Sequence, residues 1–272
     1  MLTFNSKKQL LQFLAEDIGK GDITSALLPK RKITARIISR ENAVVGGVSY
    51  AKEIFKLKGC NCTILKKDGS KIKKNQSVMT ITGDAGKILT CERTALNLLT
   101  RMSGIATQTN EMVKKIPSKT KVYATRKTAP GLRYFDKEAV EMGGGKKHRL
   151  RLDEMVMIKD NHIAVGDSLS SLIKKAKRKY KKFEVEVENI QDAVLAAREE
   201  ATIIMLDNFT PEQIKKTIQI LKKQKLRNRV MLEASGGINS KNISKYGKTG
   251  VDIISVGSIT NSVKGIDMSL EI

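Results

Sequence analysis

The chain has 272 residues, a length that can bury a substantial hydrophobic core as one large domain or as two. A hydrophobic content of 40% and only four prolines exclude long disordered stretches, and no apolar run approaches the roughly 18 residues of a membrane span. The formal net charge of +23 raises nucleic acid as a partner, but an aromatic content of 4% argues against stacking platforms for single strands.

The cysteines and the first residues indicate the compartment. Cys60, Cys62 and Cys91 are odd in number and have no partner ligands at zinc spacing, so neither a disulfide framework nor a zinc site is expected. The start, MLTFNSKKQL, lacks the apolar core of a signal peptide. We therefore expect a cytoplasmic protein with incidental thiols.

The first part of the chain, up to about Gly104, has the pattern of a mixed α/β domain. Apolar residues at helical or alternating spacing define its elements. The pattern predicts helices over residues 7–15 and 49–57 and strands over residues 33–45, 63–65 and 78–81. Residues 85–115 then predict one or two long helices, with a break near Gly104.

From about Ile116 the pattern changes to short apolar runs separated by helical segments. The runs are KVYAT, EMVMIK, FEVEVE, TIIMLD, RVMLEA and VDIISV. Six such β–α alternations predict a parallel sheet, either wrapped into a barrel or left open. In both folds ligands bind at the carboxyl ends of the strands, so the residues that follow each run are candidates for a site.

Polar residues or glycines end or follow every one of these runs. They are Thr125, Arg126 and Lys127, then Lys159, then Glu186 and Glu188, then Asp207, then Ser235 with Gly236 and Gly237, and finally Gly257 with Ser258. The cations, together with His148 and Arg149, suit a small, multiply anionic ligand, because arginine forks grip carboxylate or phosphate oxygens. A solvated basic loop is the alternative.

The two carboxylates and the glycine loops extend this interpretation. Glu186 and Asp207 suit a hard cation with a hydroxyl-bearing substrate, and ion pairs to Lys127 and Lys159 are the alternative. The SGG and SVGS segments indicate a phosphate cradle, with a helix expected to begin near Asn239.

Several motifs in order resemble one enzyme family. TRKTAPGLR, GGGKKHR and IKDNH, flanked by EDIGKGDITSALLP, ERTALNLLTRMSGIAT, EVEVEN, IIMLDN, LEASGGI and VDIISVGS, are similar to the quinolinate phosphoribosyltransferases. The resemblance implies an N-terminal α/β sandwich domain over residues 1–104 and an incomplete parallel α/β barrel over residues 105–261. It also implies that residues 262–272 pack back on the first domain.

The resemblance implies a role for each candidate residue. Thr125, Arg126, His148, Arg149 and Lys159 would bind quinolinate, with Arg93 reaching in from a neighbouring subunit. Lys127, Lys159, Glu186 and Asp207 would be catalytic, and Glu186 and Asp207 would lie at Mg²⁺, directly or through water or substrate. The phosphate-binding set would be Lys127, Ser235, Gly236, Gly237, Val256, Gly257 and Ser258.

The expected activity is phosphoribosyl transfer to quinolinate with decarboxylation, by a homodimer or hexamer without nucleic acid or membrane partners. The alternatives are a phosphoribosyltransferase for nicotinate or another small aromatic acid, and a basic nucleic-acid-binding protein.

The roles of four individual residues are open. Glu188 rivals Glu186, and Arg151 replaces a small residue of the family. We expect His148, beside Arg and Lys, to be disfavoured as a cation, and His162 to be structural.

Overall fold

A computed structural model describes residues 4–166 and 168–272, so Met1–Thr3 of the predicted first domain lie outside the described residues. The helices are α1 (Phe4–Ile18), α2 (Val48–Leu57), α3 (Ala85–Val113), α4 (Arg133–Met142), α5 (Asp160–Val165), α6 (Leu169–Lys179), α7 (Ile190–Arg198), α8 (Pro211–Lys223), α9 (Ile243–Gly247) and α10 (Ser258–Asn261). The strands are β1 (Lys32–Ser39), β2 (Ala43–Val44), β3 (Asn61–Ile64), β4 (Lys71–Ile72), β5 (Ser77–Asp84), β6 (Lys121–Ala124), β7 (Val156–Ile158), β8 (Phe183–Val187), β9 (Ile203–Asp207), β10 (Met231–Ser235), β11 (Ile253–Val256) and β12 (Met268–Glu271).

The described residues form two compact units. Unit 1 contains residues 4–110, Pro130–Gly144 and Ser262–Ile272, and unit 2 contains the described residues of Glu111–Ala129 and Gly145–Asn261. Helix α4, which lies within the segment that the sequence assigns to the barrel, is therefore part of unit 1. The domain boundary expected at residue 104 stays a prediction, since compactness by itself does not define an independently folding domain.

Unit 1 is built on a four-stranded antiparallel sheet in the order β12-β1-β5-β3. The C-terminal strand β12 pairs with β1, with Arg36 opposite Glu271, so the tail of the chain is an edge strand of this sheet. The sequence predicts one strand over residues 33–45, but the structure has two. Strand β1 ends at Ser39 and β2 begins at Ala43.

Helix α3 runs without interruption through Gly104, so the expected break at this residue is wrong. A methyl group on Gly104 would collide with the carbonyl oxygen of Lys264 in the same unit. The glycine therefore allows a close approach of two backbones, and a glycine within a helix lowers its stability by about 1 kcal/mol without ending it.

Unit 2 is built on a six-stranded parallel sheet in the order β6-β11-β10-β9-β8-β7. Each strand corresponds to one of the six apolar runs, so the predicted parallel sheet is confirmed. The edge strands β6 and β7 are not paired with each other in the described part of the chain; instead Lys146 forms an isolated parallel bridge to Tyr123 on β6. The sheet is therefore barrel-like and incomplete.

Capping side chains mark the starts of helices between these strands. Asn189 accepts a hydrogen bond from the Asp192 N–H at 2.8 Å at the start of α7. Thr210 accepts one from the Gln213 N–H at 3.2 Å, and Pro211 occupies the first turn of α8. Such caps satisfy N–H groups that have no partner within the helix, and so fix where each strand-end loop stops.

The strand register decides which side chains meet at the carboxyl edge. Ser235 on β10 pairs with Asp207 on β9, and Met205 lies between Glu186 on β8 and Glu233 on β10. Because side chains alternate along a strand, these residues share the inner face of the sheet. Among the described residues, no helix combines the length and the apolar content that a membrane crossing requires.

Candidate active site

A cavity of about 330 Å³ opens at the carboxyl ends of the unit 2 strands. This is the end at which α/β barrels bind their substrates. The lining residues are Thr125, Arg126, Lys127, His148, Arg149, Met157, Lys159, Glu186, Met205, Asp207, Glu233, Ser235 and Ser255. Nine of the sequence-predicted site residues are thereby brought into one pocket.

Arg126 and Arg149 form the most strongly cationic part of the pocket. Arg149 donates from Nη1 to the Met155 carbonyl at 2.8 Å, which fixes the direction of its guanidinium. Arg126 Nε is buried and has no hydrogen-bond acceptor in the part of the chain that the structure describes. Burial and then the neighbouring charge of Arg126 lower the pKa of Arg149. An anion placed between the two guanidinium groups would give Arg126 Nε an acceptor and would reduce the repulsion between the two positive charges.

Lys127 lies on a loop that two threonine hydroxyls hold in place. Its N–H donates to Thr125 Oγ1 at 3.1 Å, and Thr260 Oγ1 donates to its carbonyl oxygen at 2.8 Å. A methyl group on Gly257 would lie 3.4 Å from Lys127 Cδ, an ordinary van der Waals contact, so the SVGS segment is a direct neighbour of the lysine stem. The lysine itself is exposed and reaches the pocket as a mobile point charge.

The two predicted carboxylates stand at neighbouring strand ends. Glu186 forms an ion pair with Lys159, as the alternative interpretation of the sequence foresaw. Asp207 accepts a hydrogen bond from the Asn208 amide at 2.7 Å. Glu188 is exposed and is not part of the lining, so the strand geometry directs Glu186 and not Glu188 into the pocket.

These carboxylates fit a magnesium ion. Mg²⁺ prefers oxygen ligands and is commonly held by one or two carboxylates together with substrate phosphates and water. Glu186 and Asp207 supply such oxygens at adjacent strand ends, and Lys159 already neutralises part of the charge of Glu186. The site therefore suits a cation that arrives with a phosphorylated substrate better than one held by the protein alone.

The glycine loops differ in one respect from the sequence expectation. No helix begins near Asn239; residues 239–242 form a turn in which the Asn239 N–H donates to Asn242 Oδ1 at 2.8 Å, and α9 starts only at Ile243. The helix expected after this loop therefore begins four residues later than predicted. The positive φ angles of Gly236 (93°) and Gly237 (60°) turn the backbone instead, and at Gly236 a side chain would collide with Asn208.

Of the predicted phosphate-binding residues, Lys127 and Ser235 line the pocket. The SGG and SVGS segments follow directly on β10 and β11, but four glycine and serine positions and one valine lie outside the lining: Gly236, Gly237, Val256, Gly257 and Ser258. Val256 is fully buried, so its side chain is not available to a ligand. Phosphate binding by these loops stays a prediction.

Three further sequence questions have simple geometric answers. Arg151 is 69% exposed and its Nε lies 2.9 Å from Asp153, so it points to solvent and not into the pocket. His162 Nδ1 accepts a hydrogen bond from the Lys159 N–H at 3.0 Å, which confirms a structural role at the start of α5. Arg93 lies exposed on α3 in unit 1, and its contribution to a neighbouring subunit stays a prediction.

The sequence analysis missed two acids: Glu233, which lines the pocket, and Glu184, which lies beside the pocket residue His148. Glu184 and Glu233 are fully buried, and His148 Nε2 lies 3.0 Å from Glu184 Oε2 and 3.6 Å from Glu233 Oε2. Burial alone would lower the pKa of His148, but these carboxylates outweigh it and raise the pKa to about 9. The sequence expectation weighed only Arg and Lys beside His148. The structure adds two acids, which favour the charged ring, while the hydrogen bond that Nδ1 accepts from the Arg149 N–H favours the neutral ring that was expected.

The missed acids had a readable signal. Glu184 and Glu233 each stand two residues before a predicted site residue, Glu186 and Ser235, within runs that are otherwise apolar. Period-2 alternation places such residues on the same face as the site. The ligand atoms of His148, Glu184 and Glu233 lie within 4.8 Å of one another, a spacing that a metal ion could also use.

Fold and pocket together define a class: a parallel α/β barrel with a cationic pocket at its strand ends, the place where such barrels carry their active sites. Comparison with known proteins makes the assignment specific. Residues 22–103 match the family model "Quinolinate phosphoribosyl transferase, N-terminal domain" and residues 105–271 match the corresponding C-terminal domain. The chain belongs to the quinolinate phosphoribosyltransferase family.

Individual relatives agree with this assignment. The chain is 44% identical to a probable carboxylating nicotinate-nucleotide pyrophosphorylase of Methanothermobacter thermautotrophicus, with 96% of each chain covered. It is similar to the solved structure of the nicotinate-nucleotide pyrophosphorylase from Francisella tularensis, with a TM-score of 0.91, 40% identity, and 97% and 95% of the two chains covered. The enzyme of that name from Ehrlichia chaffeensis gives a TM-score of 0.92 at 36% identity, with 99% and 98% covered.

Proposed function

We propose that this chain transfers the phosphoribosyl group of phosphoribosyl pyrophosphate to quinolinate, with release of pyrophosphate and CO₂ and formation of nicotinate mononucleotide. One observation carries the proposal: a single pocket at the strand ends combines five basic side chains with the two carboxylates Glu186 and Asp207. A general polyanion-binding surface would not need acids there. This combination suits an anionic acceptor beside a phosphorylated sugar.

The acceptor half of the pocket is the arginine-rich side. Quinolinate carries two carboxylates, and we assign them to Arg126 and Arg149, with Lys159, His148 and Thr125 beside them. Each charge-assisted hydrogen bond contributes about 1.5–3 kcal/mol. A pocket with this many cations favours the diacid over nicotinate, because a single carboxylate would leave buried positive charge without a partner.

The donor half lies toward the glycine loops. Lys127 faces the pyrophosphate, and the backbone N–H groups of residues 235–237 and 256–258 donate hydrogen bonds to phosphate oxygens. Glu186 and Asp207 accept hydrogen bonds from the ribose hydroxyls and hold Mg²⁺ directly or through water. When bound, the ion neutralises charge on the pyrophosphate and so makes it a better leaving group.

The chemistry follows from where charge develops. As the C1–O bond to pyrophosphate breaks, positive charge grows at the ribose C1 and negative charge grows on the leaving group. Glu186 and Asp207 stabilise the first, and Lys127 and Lys159 stabilise the second. The acceptor ring nitrogen bonds to C1; the adjacent carboxylate then leaves as CO₂, and a proton takes its place on the ring carbon.

We predict no covalent enzyme intermediate. Burial raises the pKa of all three cysteine thiols, and none of them lines the pocket in the described part of the chain. The hydroxyls of Ser255 and Ser258 have no hydrogen-bond partner among the described residues, so no base activates them. Assembly as a homodimer or hexamer, with Arg93 completing a neighbouring pocket, is part of the proposal.

A direct assay tests the function. Purified protein, Mg²⁺ and the phosphoribosyl donor are supplied with quinolinate or with nicotinate, and nicotinate mononucleotide is measured. We expect product from quinolinate alone. Arg126→Ala should lower kcat/KM by about 10²-fold, the equivalent of about 3 kcal/mol. Lys179→Ala is the charge-matched control, because Lys179 is exposed on α6 and outside this pocket.

Two results would overturn the proposal in different ways. Product from nicotinate alone would keep the phosphoribosyl transfer and replace the acceptor. No product from either acid in folded protein, together with steeply salt-dependent binding to duplex DNA, would favour the nucleic-acid-binding alternative.

A further inference from the structure

Glu184 and Glu233 are acids that the proposed reaction does not use. Both are fully buried on the inner face of the barrel, below the pocket mouth. Apart from His148 Nε2, no donor within residues 4–166 and 168–272 serves their four carboxylate oxygens. Burying carboxylates in this way costs free energy, and replacing such groups by apolar residues of similar volume is often neutral or stabilising. The stability of the fold therefore gives no reason for these two acids.

Their nearest polar neighbour is a residue of the proposed acceptor site. His148 Nε2 lies 3.0 Å from Glu184 and 3.6 Å from Glu233, and the ring packs edge-on against Tyr123 with centroids 6.0 Å apart. On its other side, Nδ1 accepts a hydrogen bond from the Arg149 N–H at 2.9 Å. Both ring nitrogens have polar neighbours and the ring packs against Tyr123, which together fix the orientation of the imidazole.

This contact chain reaches the cation that faces the acceptor. The Arg149 backbone is tied to His148 Nδ1, and its guanidinium continues to the Met155 carbonyl at 2.8 Å and to the Met157 sulfur at 3.5 Å. A shift of the imidazole would therefore move both the His148 edge and the start of the Arg149 side chain. Misplacement of a substrate-binding group by about 1 Å can reduce a rate by about 10²-fold.

We propose that Glu184 and Glu233 are positioning residues that clamp His148 and, through its Nδ1, align Arg149 with the carboxylates of the acceptor. The inference rests on the proposed function. The clamp requires a proton on Nε2, and the imidazolium and the neutral ring that accepts at Nδ1 both carry one there. The Nε2 side of the clamp therefore holds in either charge state, whereas the link from Nδ1 to the Arg149 N–H needs the neutral ring, because the imidazolium carries a proton on Nδ1.

Kinetics of Glu184→Met, Glu184→Gln and Glu233→Met test the role. We expect the methionine variants to raise KM for quinolinate by about 10-fold or more, with KM for the phosphoribosyl donor changed by less than about 2-fold. Glu184→Gln keeps an oxygen that can accept from Nε2 and should recover part of the loss. The melting temperature of the methionine variants should be unchanged or higher. Wild-type KM for quinolinate in both methionine variants would overturn the clamp.

A spectroscopic measurement reads the clamp without turnover. The chain has only two histidines, so ¹⁵N spectra of the imidazole nitrogens can be assigned with a His162→Gln variant. We expect one slowly exchanging Nε2 proton from His148 in the wild type and its loss in Glu184→Met, with the His162 signals unchanged. An Nε2 signal that is identical in Glu184→Met would overturn the clamp.

The proposed function is tested separately by turnover of the wild type. No turnover of quinolinate by the wild type would overturn that function, whereas normal turnover with unaffected variants would overturn only the positioning role. Elemental analysis of the purified wild type and Glu233→Met tests for a bound metal ion. A stoichiometric transition-metal ion in the wild type that is absent from Glu233→Met would make these acids metal ligands and overturn the clamp.

Discussion

At the scale of single residues, the ion pair of Lys159 and Glu186 links two proposed functions. Lys159 is assigned to the acceptor and to the leaving group, and Glu186 to the ribose side, yet the two side chains contact each other across neighbouring strand ends. Part-exposed ion pairs contribute little to stability. Substrate oxygens can therefore replace this pair at small cost, and the pair keeps both charges in the pocket until they do.

Glu186→Gln should lower kcat by about 10²-fold or more, because a neutral amide stabilises developing positive charge at C1 far less than a carboxylate does. Glu188→Gln is the matched control, because Glu188 lies two residues further along the same chain segment but is exposed and outside the lining. It should change kcat by less than about 2-fold. Steady-state kinetics measure both, and a larger loss in Glu188→Gln would reverse the assignment.

At the scale of elements, α3 shows how a tertiary contact overrides a local signal. Alanine is a better helix former than glycine by about 1 kcal/mol, so propensity alone predicts that Gly104→Ala stabilises the protein. The structure predicts the opposite, since a methyl group there would meet the Lys264 carbonyl oxygen. Overpacking of this kind typically costs about 1–3 kcal/mol.

Gly104→Ala should therefore lower the melting temperature. The control is Gly86→Ala in the first turn of the same helix, where the nearest atom to a new methyl group is Asp84 Oδ1 at 3.3 Å, a contact that a shift of a few tenths of an ångström relieves. That variant should leave the melting temperature unchanged or raise it. Thermal unfolding followed by circular dichroism measures both, and stabilisation by Gly104→Ala would contradict the close approach.

A second element-scale prediction concerns Asp22, which ties the segment before β1 to α3. It accepts hydrogen bonds from the Ser25 N–H and from Thr90 Oγ1, each at 2.9 Å. Bonds from Ser25 and then Thr90 lower its pKa from 3.8 to about 2. Because the folded-state pKa is depressed, this stabilisation is fully present above about pH 4 and is lost as the pH falls toward about 2.

Asp22→Asn, which stays neutral at every pH, should therefore be less stable than the wild type at pH 6. The difference in free energy of unfolding should shrink as the pH falls below about 4. Urea titrations at pH 6, 5, 4 and 3 measure it. A difference that is constant over this range would show that the charge of Asp22 does not contribute.

At the scale of the whole molecule, the proposed assembly makes each active site depend on two chains. Arg93 would serve the pocket of a neighbouring subunit, while Arg126 serves the pocket of its own. A variant of Arg93 and a variant of Arg126 would each be inactive alone. Each would then supply the arginine that the other lacks. In a mixed dimer one site would lose both arginines and the other would keep both.

Arg93→Ala and Arg126→Ala should therefore complement each other after mixing and reassembly. Random pairing of equal amounts should restore about a quarter of the wild-type activity, because about half of the dimers are mixed and each has one intact site. The assay follows nicotinate mononucleotide, and each variant mixed with itself is the control. No recovery in dimers shown to exchange subunits would mean that Arg93 does not act across the interface.

The sequence by itself determined the six parallel strands and the position of the polar residues at their ends. Both follow from local patterns, since alternation and apolar runs encode strands and the residue after a strand necessarily lies at its end. Arg126, Lys127, Lys159, Glu186 and Asp207 were therefore predicted from their place at strand ends. Arg149 was predicted from its cationic neighbours and from the motifs that gave the family.

Only the tertiary structure decided which groups meet beneath that edge. His148, Glu184 and Glu233 come from separate segments, and their contact depends on sheet register and barrel curvature, which no local periodicity encodes. The same reason explains the unbroken α3 at Gly104, whose neighbour Lys264 is distant in sequence. His148 stands among basic residues in the sequence but contacts buried acids in the structure, because the environment of a side chain is set by its neighbours in space.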